Sequence, residues 1–126
     1  MLPASPMPGT VLIVDDDPDI RDAFAECLRQ EGYQVEAAPH GRAALDVLEA
    51  GLRPGVILLD LMMPVMNGFE FLESVRSRPD WQKLRVIVLS ANRGYQAEDF
   101  QGVFRILRKP VDIEPLCKTI ELALAA

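Results

Sequence analysis

A single histidine, His40, occurs among the 126 residues. It follows Pro39 just ahead of a helical pattern and reads as that helix's cap, so no Ser-His-Asp or zinc arrangement is available. There are two cysteines, Cys27 and Cys117, without metal or redox spacing. Each falls in an apolar helical stripe and reads as a small buried hydrophobe, in keeping with a reducing cytoplasm. No apolar run approaches the ~20 residues that span a bilayer, so no membrane is expected. The opening MLPASPMPGT lacks the basic and apolar regions of a signal peptide. Its three prolines suggest a disordered lead-in over residues 1–9. Positive charge is also short: 13 Lys and Arg against 19 Asp and Glu give a net charge of −6. That balance argues against a nucleic-acid binder that works by neutralising phosphates.

What remains is an ordinary globular composition, 49% hydrophobic and 25% charged. It suits one domain over residues 10–126. Val56–Leu59 is an unbroken apolar run that stops at Asp60, the pattern of a strand buried on both faces. Val11–Val14 is a second such run, ending in Asp15, Asp16 and Asp17. Pro18 then opens a helix whose apolar face is Ile20, Phe24, Cys27 and Leu28, stopped by Gly32. Tyr33–Ala38 reads as an edge strand, and Ala44, Val47 and Leu48 carry a second helix to Gly51. Asn67 and Glu70 form a capping box for a third helix that ends before Pro79. Leu84–Leu89 and Val103–Leu107 are further strands, and Asp112 caps a last helix. Strands alternating with helices predict a flavodoxin-like α/β three-layer sandwich, its five-stranded parallel sheet in the order 2-1-3-4-5.

In that order the carboxyl ends of neighbouring strands deliver Asp15 and Asp16, Asp60, Ser90 and Lys109 to one rim. Three close carboxylates repel one another and suit a hard divalent cation such as Mg²⁺, with a backbone carbonyl just past Asp60, for instance that of Met62, as a further ligand. A cation beside a carboxylate, with a hydroxyl and a lysine opposite, suits an incoming phosphoryl group that Asp60 attacks as nucleophile. Asp17, just before Pro18, is better read as a helix cap.

These motifs together resemble the receiver domain of bacterial two-component response regulators, over roughly Thr10 to Leu124. The carriers are Asp15–Asp16, Asp60 in DLMMPVMNG, Ser90–Ala91 and Lys109–Pro110. The resemblance implies that Asp60 accepts a phosphoryl group from a phosphohistidine on a sensor histidine kinase or phosphotransferase, and that a downstream protein target reads the result. It implies Mg²⁺ on Asp16, Asp60 and the Met62 carbonyl, with Asp15 helping directly or through water. Ser90, Lys109 and the Ala91 amide would hold the phosphoryl oxygens, and the bond before Pro110 would be cis. The domain would not turn over an external substrate. It would meet its kinase through the first helix and the loop after Lys109. Met1 and the short tail suggest a stand-alone protein.

The sequence departs from that pattern in two places. Ile106 stands three residues before Lys109, where an aromatic is usual, and it has no hydroxyl to present. Phe104, expected on the same side of the strand, or Tyr95 could take over its role. The interval between Ser90 and Lys109 is also short by about one helical turn, so the fourth helix should be short or irregular. Met62 and Asn92 occupy the positions that govern autodephosphorylation. Neither is a base, so the acyl phosphate should persist. The competing reading is a receiver-like scaffold that works without phosphorylation. A haloacid-dehalogenase-type phosphatase would need an acid where Met62 stands. A flavin phosphate would be repelled by Asp15–Asp17.

Overall fold

The computed structural model describes residues 7–92, 94–100 and 102–125. Its sheet has five strands: β1 (Met7–Val14), β2 (Gln34–Ala38), β3 (Pro54–Asp60), β4 (Arg85–Ser90) and β5 (Val103–Arg108). All pairings are parallel and the order is β2-β1-β3-β4-β5. The helices are α1 (Pro18–Gln30), α2 (Gly41–Glu49), α3 (Gly68–Arg76) and α4 (Ile113–Ala125). Most of the disordered lead-in expected over residues 1–9 lies outside the described residues. Its last three, Met7–Gly9, belong to β1 instead, where Met7 is in register with Pro54.

Alternation along the central strands splits the core into two layers. Leu12, Val14, Ile57, Leu59, Val86 and Val88 pack with residues of α2 and α3 on one face. Val11, Ile13, Val56, Leu58, Ile87 and Leu89 pack with residues of α1 and α4 on the other. The helix boundaries follow local chemistry. Asp17 caps α1 by accepting the amides of Asp19 and Ile20. His40 Nδ1 accepts the Ala43 amide at the start of α2. Asn67 and Glu70 make the full capping box of α3. Gly32, at φ +98°, ends α1 in the left-handed region. Trp81 is buried, with the Arg78 guanidinium 4.1 Å above its ring centroid.

The crossover from β4 to β5 departs from the rest. Among its described residues the regular structure is one 3-10 turn, Ala97–Asp99. The short interval noted in the sequence thus leaves no α-helix among the described residues there. Three rings stand in that space instead. Phe69 of α3, Tyr95 and Phe100 have centroids 5.5–5.7 Å apart and pack onto the α2–α3 layer beside Ile106.

Candidate functional site

Parallel register brings the acids together. Val14 aligns with Leu59 and Asp60 with Leu89, so Asp15 and Asp60 leave the sheet side by side, with Ser90 one residue further on. One carboxylate oxygen from each of Asp15, Asp16 and Asp60 lies within 4.8 Å of the others. Asp15 and Asp60 are buried and Asp16 is exposed. The Asp15 carboxylate is already committed: Oδ1 accepts the Asp17 amide at 2.9 Å and Oδ2 accepts Lys109 Nζ at 3.2 Å. Its carbonyl accepts Arg21 Nη1 at 2.7 Å, a contact that no local sequence pattern announces. Asp60 Oδ1 accepts the Met62 amide at 3.3 Å and lies 3.4 Å from Lys109 Nζ.

Lys109 arrives from the end of β5. Its amide donates to the Ser90 carbonyl at 2.9 Å, and the peptide bond to Pro110 is cis. The buried Ser90 Oγ accepts the Asn92 amide at 3.0 Å, which leaves the hydroxyl proton available for donation. An open pocket of about 520 Å³ gathers Asp60, Leu61, Met62, Ser90, Ala91, Asn92, Tyr95 and Lys109. The sequence-expected residues therefore meet on one rim. The Met62 side chain is not part of the packing: it is 76% exposed, and its backbone is what reaches Asp60.

The electrostatics fit an acid cluster short of positive charge. Burial pushes the Asp60 carboxyl above its usual range; Lys109 opposes this and Asp15 adds to it. Burial alone would lower the Lys109 ammonium, but Asp15 and Asp60 outweigh it and hold its pKa above the ordinary value. Three carboxylates against one lysine leave negative charge uncompensated, and that oxygen donor set is of the kind a hard divalent cation takes.

The loop after Asp60 is held from both ends. Gly68 donates its amide to the Leu61 carbonyl, and Gly41 of α2 donates to Met66. A Cβ on Gly68 would stand 2.6 Å from the Asp60 carbonyl oxygen and 2.7 Å from Leu61 Cα, so the start of α3 lies against the strand end that carries Asp60. Between these anchors Val65 has φ +65° and sits inside a bond from the Met66 amide to the Pro64 carbonyl, a γ-turn.

One sequence expectation is corrected. Phe104 does not share the Ile106 side of β5. The register runs Val86 with Val103 but Ile87 with Arg105, so β5 carries one extra residue there. Such a bulge breaks the alternation. Val103 and Ile106 pack toward the α2–α3 layer, and Phe104 and Leu107 pack toward the α1–α4 layer. Tyr95 does lie on the Ile106 side. The sequence named it without indicating that it lines the pocket, since no periodicity exists in that crossover to read.

The fold and its rim place the molecule in the flavodoxin-like class of α/β proteins, with an acidic site at the carboxyl edge of the sheet. The sequence model of the response regulator receiver domain matches residues 11–121, and the chain belongs to that family. It is 39% identical over 116 residues to the "Uncharacterized 14.6 kDa protein in sodA1 3'region" of Leptolyngbya boryana, covering 88% of this chain and 86% of that one. It is 42% identical over 85 residues to the response regulator MprA of Mycolicibacterium vanbaalenii, covering 68% of this chain but 36% of that regulator. The chain thus matches little more than a third of MprA. Among solved structures it resembles the chemotaxis response regulator CheY4 of Vibrio cholerae, with a TM-score of 0.80 and 35% identity over 90% of this chain and 97% of that one. It also resembles the Francisella response regulator 1452 receiver domain, with a TM-score of 0.83 and 27% identity over 92% and 96% of the two chains. The chain is a receiver domain of two-component signalling. Among the described residues no helix is long and apolar enough to cross a membrane.

Proposed function

We propose that Asp60 is the phosphoacceptor of this receiver. A carboxylate oxygen of Asp60 attacks the phosphorus of a phosphohistidine. The P–N bond breaks, the imidazole departs, and an acyl phosphate remains on Asp60. Lys109 meets the incoming negative charge, the Ser90 hydroxyl donates to one phosphoryl oxygen, and the Ala91 amide serves a second. Asp16, Asp60 and the Met62 carbonyl would hold Mg²⁺, with Asp15 acting through water because its two oxygens already have partners. Bound there, the cation would neutralise charge on the phosphoryl oxygens. The observation that carries this reading is the meeting of three carboxylates within 4.8 Å with Lys109 at 3.2–3.4 Å from two of them.

The donor is a sensor histidine kinase or a phosphotransferase. Its docking place is an apolar groove of about 550 Å³ beside the site, lined by Ile20, Ala23 and Phe24 of α1 and by Pro110 and Val111 after Lys109. The domain works in the cytoplasm on a protein target, not on nucleic acid, and is not a turnover enzyme. Incubation with acetyl phosphate and Mg²⁺ tests the core of this reading. One phosphoryl group should appear on the intact chain by mass spectrometry and be absent from Asp60→Asn. Equal labelling of both chains would sink it. A second reading, a scaffold that acts without phosphorylation, draws on Ile106 and on a crossover before β5 whose described residues carry only a 3-10 turn. A pull-down with the chain unmodified, beryllofluoride-loaded and changed to Asp60→Asn separates the two: a scaffold captures the same partners in all three states.

A further inference from the structure

The pocket around Asp60 has one wall that the phosphoacceptor reading does not use. Tyr95 lines it, half-buried, while its ring is braced edge-on by Phe69 at 5.6 Å and 68° and by Phe100 at 5.5 Å and 65°. The chain is folded back to place it there. Ser90 Oγ accepts the Asn92 amide, and Asn92 Oδ1 accepts the Gly94 amide at 2.7 Å, so the residue that would grip the phosphoryl group leads by two hydrogen bonds to the turn that presents Tyr95. Met62, which also lines the pocket, is 76% exposed. It covers little on average.

We infer that Tyr95 is a positioning residue for hydrolysis of the acyl phosphate: its braced ring occupies volume that the attacking water would need, and so prolongs the phosphorylated state. This rests on the phosphoacceptor reading. In hydrolysis, water oxygen bonds to phosphorus from the side opposite Asp60. The acyl P–O bond breaks, the Asp60 carboxylate is restored, and a water proton passes to solvent with release of inorganic phosphate. Besides Asp60 the pocket is lined by Leu61, Met62, Ser90, Ala91, Asn92, Tyr95 and Lys109, none a carboxylate or imidazole. No general base stands in that lining, and the neighbouring Asp15 and Asp16 are committed to Lys109 and to the proposed cation, so the access and geometry of water are what remain to set the rate. The ring and not the hydroxyl carries the effect.

The test loads each chain with acetyl phosphate and Mg²⁺, removes the donor, and follows the acyl phosphate by mass spectrometry. Tyr95→Ala should shorten its lifetime by about threefold to tenfold, up to ~1.4 kcal/mol of barrier. Tyr95→Phe, which keeps the ring, should match the unsubstituted chain. Phe100→Ala, which removes a brace without touching the pocket, should also shorten it. Beryllofluoride affinity should be unchanged in all three. Equal lifetimes in Tyr95→Ala and the unsubstituted chain would overturn the inference and leave the phosphoacceptor reading standing. So would a Tyr95→Phe that decays as fast as Tyr95→Ala, or a loss of beryllofluoride affinity that accounts for the faster decay. Absence of label from the unsubstituted chain would overturn both.

Discussion

Lys109 Nζ lies 3.4 Å from Asp60 Oδ1, yet the Asp60 carboxyl is held above its usual pKa range, because burial outweighs the lysine and Asp15 adds repulsion. A carboxylate whose folded pKa exceeds its unfolded value binds protons more readily when folded. Its ionisation therefore costs stability above the folded pKa, and the cost disappears as pH falls through that value. Asp60→Asn should accordingly be more stable than the unsubstituted chain at neutral pH without Mg²⁺, by about 1 kcal/mol. The gain should shrink toward acid pH. Added Mg²⁺ should raise the midpoint of the unsubstituted chain more than that of Asp60→Asn. Thermal unfolding with and without Mg²⁺ at several pH values checks all three.

The opposite substitution should act in the opposite direction. Lys109 is the counter-charge for two buried carboxylates. Lys109→Met keeps most of the stem but leaves Asp15 and Asp60 facing each other. A loss of roughly 1–3 kcal/mol is expected in denaturant titrations without metal, and Mg²⁺ should restore part of it. Labelling by acetyl phosphate should fall sharply, since the incoming oxygens lose their cation. A Lys109→Met chain as stable as the original, with undiminished labelling, would mean that the lysine is a bystander.

Gly68 sets how closely α3 approaches the strand that carries Asp60. The two nearest atoms that a Cβ would meet are backbone, Asp60 O at 2.6 Å and Leu61 Cα at 2.7 Å, and neither can swing aside; the third, Leu61 Cδ2 at 2.9 Å, belongs to a side chain. At Gly41 the contacts are the Met66 side chain at 2.7 Å and the Met66 carbonyl at 2.9 Å, and the first of these is flexible. Gly68→Ala should therefore cost about 1–3 kcal/mol and reduce labelling of Asp60, because the strain is relieved only by moving the site. Gly41→Ala should cost less and label normally. Paired unfolding and labelling measurements distinguish them.

How much of this was legible in the sequence depends on where local signals exist. The strand ends at Asp15, Asp60 and Ser90 could be read because apolar runs stop at polar residues, and buried parallel strands leave no other place for them. The caps at Asp17, His40 and Asn67 were legible because capping uses few residue types at fixed offsets. The face of Phe104 was not. A bulge depends on how β5 registers against Val86 and Ile87, which no property of residues 103–108 announces. The ring triangle was also hidden: Phe69 lies far in the chain from Tyr95 and Phe100, and the crossover that brings them together has no period to follow. The left-handed residue at position 65 carried no warning either, since valine is among the residues least suited to it.

Val65 has φ +65° and is 76% exposed. A β-branched residue there carries a steric cost with little burial in return. Asparagine tolerates this conformation better and keeps a side chain, so Val65→Asn should stabilise the chain by about 1 kcal/mol. For a domain of this size that is an increase of about 4 °C in Tm. Val65→Gly removes the steric cost entirely but adds freedom to the unfolded chain, worth ~0.5–1 kcal/mol against folding, so its net gain should be smaller. Val65→Ile should be no better than valine, since it keeps the branch. The order Asn, Gly, then Val with Ile tests the backbone geometry directly, because the side chain makes too few contacts for hydrophobic burial to produce it. A chain in which Val65→Asn and Val65→Gly both lower Tm would mean that the valine side chain, not the turn, is what holds the loop between Asp60 and α3.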